Sequence, residues 1–407
     1  MTSILGSLEE EDKTLTLRIG RKNLKDKTLA VSPHKIYSAQ EGRSIPFSKM
    51  IKDMKGSDFI YIGETHTSLP MHHIQLQIIQ ALYEQDRNLC IGLEMFPVTF
   101  QDILNKWSLG ILSIEEFIRD SQWYVNWNYN FGFYQQIFLL GKMEKIPFYA
   151  LNAPREIVSK IRVKGWNFLS DEEKNIVPNP DLSHEEHRFL IRTIFENTEL
   201  PHQMKGKSLE MAFEGLYRAQ SAWDEVMAAN IIKAQSTEAK KIVVLAGSGH
   251  LFYNLGINRR VFEKNHRSYK TVLCVTIPEG RESLTVAWSL ADYIWGLPQE
   301  KRPAFPLIGL NLKKFEGLDN LVIADEPIAG VALNAGFEKG DVILSVDGHS
   351  FSDINDLRVY LASFTWNDVV EFRILRDAKE VRLDLKFEPS DKGEDKKNNA
   401  WAGLQPE

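Results

Sequence analysis

Cysteine is almost absent from this chain: two in 407 residues, Cys90 and Cys274, each inside an apolar run, LCIGLEMF and TVLCVTI. That scarcity excludes a disulfide scaffold or a cysteine-rich metal module and makes both thiols small buried hydrophobes. Basic charge is not in excess either. Forty-nine Lys and Arg stand against 55 Asp and Glu, a formal net charge of -6, so nothing draws the whole molecule to nucleic acid or to an anionic membrane, and no nucleic-acid partner is expected. No apolar run is long enough to span a bilayer; TVAWSLADYIWGLP is short and broken by Asp292. The start, MTSILGSLEEEDK, offers no basic stretch followed by an apolar one and a cleavage site, and no cysteine to carry a lipid. The chain as given therefore reads as cytoplasmic, with the cell envelope as the alternative if a targeting segment precedes it.

What is present is enough apolar content, 43 %, for a large core and a second, smaller domain. TLTLRIG and TLAVSP around RKNLKDK suggest an amino-terminal hairpin within a lead-in over 1–44. From 45 to 296, strand-like runs alternate with amphipathic helices: FIYIG, LCIGLEMF, PFYAL, IVVLAG and TVLCVTI lie between helical stretches, the longest at 207–233. That order predicts an α/β fold with a mostly parallel β-sheet covered by helices. GLPQEKRPAFP holds a linker, 297–304. A compact unit of short strands and two helices follows at 305–388, and a polar tail, expected to be flexible, at 389–407.

Two of the runs end in glycine-containing turns that each deliver a histidine, GETH at 63–66 and GSGH at 247–250. Parallel strands gather such residues beyond their carboxyl ends, where ligands bind in open α/β sheets. Gly63, Glu64, His66, Glu94, Asn152, Gly247, Gly249 and His250 would share one crevice. His66, Glu94 and His250 form a nitrogen and oxygen set suited to a divalent metal such as Zn, Mn or Co with one position open; a structural polar network is the alternative. As an enzyme, the chain would be a metal-dependent hydrolase of peptides or esters, with Glu64 taking a proton from metal-bound water and Asn152 orienting substrate. Gln220 and Asp224 occupy one side of the long helix and reach this crevice, unless Asp224 pairs with Arg218 at the surface. SHEEHR reads as a helix start capped by Ser183 with Glu186 reciprocating, rather than as a histidine site. The segment SQWYVNWNYNFGFYQQIF either walls a planar apolar cofactor or forms a satellite core, and Tyr149 lies near the Asn152 turn.

GETH, GLEMF at 92–96, ALNAP at 150–154, QSAWDEVMA at 220–228 and GSGH together resemble the ChaN-like haem-binding uptake family, in the wider group with Tiki and erythromycin-esterase-like proteins. The resemblance covers about 45–285 and implies a ChaN-like domain, haem as cofactor, and His66, His250 and Tyr149 as candidates for contacting it, in a homodimer as an option. AGFEKGDVILSVDG at 335–348 resembles the core of a bacterial PDZ domain. That implies a peptide groove with Leu307, Ile308, Gly309 and Leu310 at its closed end, the helix 352–362 as its other wall, and a protein or peptide carboxyl terminus as partner. The reading is a bacterial haem- or iron-related binding protein with a PDZ module, the alternatives being the hydrolase and a non-catalytic interaction protein.

Overall fold

The structure is a computed structural model that describes residues 13–198, 206–238, 241–327 and 330–388; the first residues and the expected tail 389–407 lie outside the described residues. These form two compact units. One comprises 13–64, 73–105 and 146–299, the other 65–72, 106–145 and 300–388. Most of the expected domain 45–296 lies in the first unit, and the aromatic segment 123–134 lies in the second.

The first unit is built on an eight-stranded sheet of β2 (Ile36–Ser38), β3 (Arg43–Ile45), β4 (Phe59–Glu64), β5 (Leu89–Pro97), β6 (Phe148–Asn152), β7 (Lys241–Gly247), β8 (Tyr269–Ile277) and β10 (Tyr293–Pro298). Their spatial order is β3-β2-β10-β8-β4-β7-β5-β6. The six strands from β10 to β6 run parallel, and β2 and β3 add antiparallel at the other edge. Every residue of β4 and β5 is buried, as expected of parallel strands covered on both faces, which read as apolar runs rather than alternation. Register sets the site: Glu64 lies opposite Gly247, so β4 and β7 end level, and Leu93 lies opposite Leu245, which brings the following Glu94 of β5 beside those ends. The long helix Lys207–Glu238 packs on the helices Arg155–Lys164 and Ile257–Asn265.

The amino-terminal hairpin does not form. Lys13–Thr16 is a turn of 3-10 helix, and β1 (Thr28–Val31) pairs instead with β9 (Leu284–Ala287). A residue far along the chain accounts for this: the Tyr253 hydroxyl donates to Thr14 O at 2.7 Å and accepts from Leu17 N at 2.9 Å, taking up backbone groups a hairpin would use. The cap at SHEEHR also differs. His184 is the N-cap residue of Glu185–Glu196, its Nδ1 accepting from His187 N, while Ser183 bonds Asp181 and Glu186 accepts from Gly20 N.

In the second unit, Trp107, Phe117, Trp123, Phe131 and Phe138 interlock with ring centroids 4.6 to 6.4 Å apart, and the Trp107 indole donates to Phe138 O. These rings form the satellite core foreseen as one alternative. The carboxy-terminal part is an antiparallel sheet of β11 (Leu312–Lys314), β12 (Leu321–Ile323), β13 (Val342–Val346), β14 (Val369–Arg376) and β15 (Lys379–Lys386), in that order. Its one described α-helix, Ile354–Ala362, starts at Asp353, whose carboxylate accepts from Asn355 N and Asp356 N. Leu357 and Leu361 close the core against Ile323, Ile343 and Phe372. Buried Asp341 accepts two 2.7 Å bonds from Arg376 and one from Glu338 N, which ties the GFEKGD turn to β14.

Candidate functional site

The expected residues fall into two clusters, one in each unit. In the first, β7 ends in the buried turn Ser248–His250, and His250 stands between two carboxylates. Its Nε2 is 3.2 Å from Glu94 Oε1 and its Nδ1 is 2.6 Å from Asp224 Oδ1, with the Gln220 amide 2.8 Å from the same Nδ1. Glu94 also accepts from Gly247 N at 2.5 Å, and Asn152 donates to Glu94 O. Asp224 is fully buried and does not pair with Arg218, which donates to Arg162 O instead. Its second oxygen lies 3.1 Å from His187 Nε2 and 3.3 Å from Arg260 Nη1. Arg260 reaches Glu225 as well, at 3.2 Å.

This charge arrangement sets the protonation states. Burial alone would push the His250 imidazolium down, but Glu94 and Asp224 outweigh it and raise its pKa to about 10. Burial likewise favours a neutral Asp224, yet His187, His250 and Arg260 hold it well below the usual carboxylate range. His187 goes the other way. Burial lowers it to about 4 despite Asp224, and its Nδ1 has no hydrogen-bond partner among the described residues, so a second proton would be buried unsatisfied.

Of the set expected for a metal, Glu94 and His250 meet in the first unit and His66 belongs to the second; among the described residues no group of three or more His, Cys, Asp or Glu is arranged to hold a metal ion. Glu64, buried at the end of β4, accepts at 2.7 Å from Gln75. Gly63 is packed so closely that a Cβ would stand 2.3 Å from Leu273 and 2.8 Å from Ser248 Oγ. Gly249 is buried in the same turn, and Tyr149 is half-buried on the edge strand β6, opposite Gly92.

His66 belongs to the second unit. Its half-buried ring lies 4.6 Å, centroid to centroid, from the Trp127 indole and 5.2 Å from the Tyr129 ring. Buried His72 donates from Nε2 to His66 O at 3.2 Å, with its own ring against Tyr134 and Phe133. Trp127 Nε1 donates to Tyr134 OH and Trp123 Nε1 to Tyr129 O. The segment 123–134 thus splits into a buried core and two half-buried rings that pack against the His66 imidazole and, at 5.5 Å, against each other. Farther along the same unit, Leu307 and Ile308 carbonyls accept from Val331 N and Ala332 N, Gly309 has φ +80°, and the following strand β11 is a sheet edge beside the helix Ile354–Ala362. The loop Leu307–Leu310 itself is not part of a strand.

Sequence reading missed His187, Arg260 and Gln75. Each carried a signal: His187 lies three residues before Leu190, Arg260 three after Ile257 and Gln75 four after Met71, all on the buried faces of their helices.

The family description "Haem-binding uptake, Tiki superfamily, ChaN" matches residues 50–261, more than half of the chain, and "PDZ domain" matches 306–387. A solved structure of cofacial heme binding to ChaN of Campylobacter jejuni superposes with a TM-score of 0.51 at 19 % identity, covering 66 % of this chain and 96 % of that one; it shares the fold. Probable periplasmic serine endoproteases, DegP-like, from Bartonella henselae and Rickettsia prowazekii are 28 % identical over 91 residues and 32 % over 72. These stretches are 22 % and 18 % of this chain, and the chain spans only 17 % and 14 % of those two relatives. No described helix is long and apolar enough to cross a membrane.

Proposed function

Because the chain belongs to the haem-binding uptake family of the Tiki superfamily that includes ChaN, and carries a PDZ domain, we propose that it binds haem through His66 and a peptide carboxyl terminus through the PDZ groove. The observation that carries the haem reading is the half-buried imidazole of His66 packed against the Trp127 indole and the Tyr129 phenol, which also touch each other at 5.5 Å. The donor set fits the group: imidazole and phenolate are both axial ligands of haem iron, and an indole offers a flat apolar face to a macrocycle. His66 and Tyr129 would hold the iron, which supplies redox chemistry when bound. His72, by donating to His66 O, fixes the backbone that aims the ligand ring. In this reading His250 stays held between Glu94 and Asp224 and is not the iron ligand.

At the PDZ groove, the free edge of β11 supports addition of an extended peptide by main-chain hydrogen bonds. The turn through Gly309, whose φ of +80° suits glycine, lies where amides meet a terminal carboxylate in such domains. Leu307, Ile308 and Leu310 would receive an apolar last side chain.

Titration of the full chain with haemin, followed in the Soret band, tests the first half. Saturable uptake by the unaltered chain is expected, with affinity reduced tenfold or more in His66→Ala. Equal affinity in His66→Ala would remove His66 from the site.

A further inference from the structure

The helix that walls the PDZ groove is fastened to the aromatic segment beside His66. Asn355, 5 % exposed, accepts from Tyr124 N at 3.3 Å through its side-chain oxygen, and Arg358, one turn on, donates to Tyr124 O. At the helix's other end, Asn130 donates from its side chain to Ala362 O at 3.1 Å while accepting from Gly132 N at 2.8 Å. Phe305, in the lead-in to the groove, packs edge-on against Phe133 at 4.9 Å and fills the space beside Gly132, where a Cβ would stand 2.4 Å from it. Attachments at both ends of one helix hold the segment 124–133, and between them lie Trp127 and Tyr129, the rings packed against His66.

We propose that the PDZ helix positions the aromatic wall of the His66 pocket, so that peptide in the groove and haem at His66 change each other's affinity through Asn355, Arg358 and Asn130. This inference rests on the haem reading for its ligand, but not for the link itself. A strand added at β11 enters between that edge and the helix and displaces the helix relative to the sheet. The attachments pass such a displacement to Tyr124 and Asn130, and so to the two rings. Linkage makes the effect reciprocal: whatever factor peptide applies to haem affinity, haem applies to peptide affinity.

The link is tested in the full chain with Asn355→Ala and Arg358→Ala, with Arg358→Lys as the conservative form and exposed Asp356→Ala on the same helix as control. Haemin titration is expected to show affinity reduced about fivefold or more in the two alanine variants, a partial return in Arg358→Lys, and no change in Asp356→Ala. Affinities within twofold of the unaltered chain in both alanine variants overturn the proposal. A second readout is the fluorine resonance of 5-fluorotryptophan at Trp127, assigned by Trp127→Phe. It is expected to shift in Asn355→Ala and Arg358→Ala and stay in place in Asp356→Ala. If the unaltered chain takes up no haem, the haem reading fails, and this resonance alone decides the link: a shift keeps it and an unmoved signal removes it. Unfolding of one alanine variant leaves the other and Arg358→Lys to decide.

Discussion

At the scale of single residues, His250 and His187 share one carboxylate and respond to it in opposite senses. His250, raised from 6.5 to about 10, keeps in the fold a proton that the unfolded chain releases between those values. Its contribution is therefore complete below pH 6.5 and is lost as pH rises toward 10. His187, lowered from 6.5 to about 4, refuses a proton that the unfolded chain accepts, so stability falls as pH drops from 6.5 toward 4. The pair alone puts a maximum of stability near pH 6.5. Urea unfolding across pH 5–10 is expected to show His250→Gln losing the decline on the alkaline side, which has a limiting slope of roughly 1.4 kcal/mol per pH unit, while His187→Gln keeps it. An alkaline limb unchanged in His250→Gln would mean the imidazolium is not what the carboxylates hold. Near neutral pH, His250→Gln should also cost about 3–5 kcal/mol, because Glu94 and Asp224 lose a charged partner in a buried setting.

At the scale of elements, the turn from β7 into the helix Ile257–Asn265 is where the backbone is most tightly fitted. A Cβ on Gly256 would lie 1.9 Å from His250 O and 3.3 Å from Asp224 Oδ2, and the adjoining Tyr253 and Asn254 both have positive φ while buried. Gly256→Ala is expected to destabilise by about 1–3 kcal/mol or more through overpacking, whereas Gly56→Ala, with nothing within 4 Å, should be neutral by thermal unfolding. The parallel strands were legible in the sequence because full burial turns each into an apolar run, and their glycine turns marked the ends that carry Glu64, Glu94 and His250. The pairing of Thr28–Val31 with Leu284–Ala287 was not, since it joins segments more than 250 residues apart and depends on a tyrosine hydroxyl that no local pattern announces. Within the first cluster, apolar periodicity could have found His187, Arg260 and Gln75, because a polar residue on a buried helix face must have a partner. The division of 123–134 into buried rings and rings packed against His66 was beyond sequence. Trp123 and Trp127 are one turn apart, and only the packing of Trp123 against Phe131 and Phe138 separates their roles.

At the scale of the whole molecule, the chain leaves its first unit at Thr65 and again at Lys106, and each time supplies the second unit with pieces that residues 300–388 complete. His66, the aromatic segment and the PDZ domain therefore belong to one body, although the family match over 50–261 and the PDZ match over 306–387 divide them. Functional measurements accordingly belong to the full chain. Electron paramagnetic resonance of the ferric haem complex, taken on the unaltered chain, His66→Ala and His250→Gln, tests the assignment of the iron to His66 most directly. The expected result is a spectrum altered in His66→Ala and preserved in His250→Gln; a spectrum preserved in His66→Ala and altered in His250→Gln would contradict it.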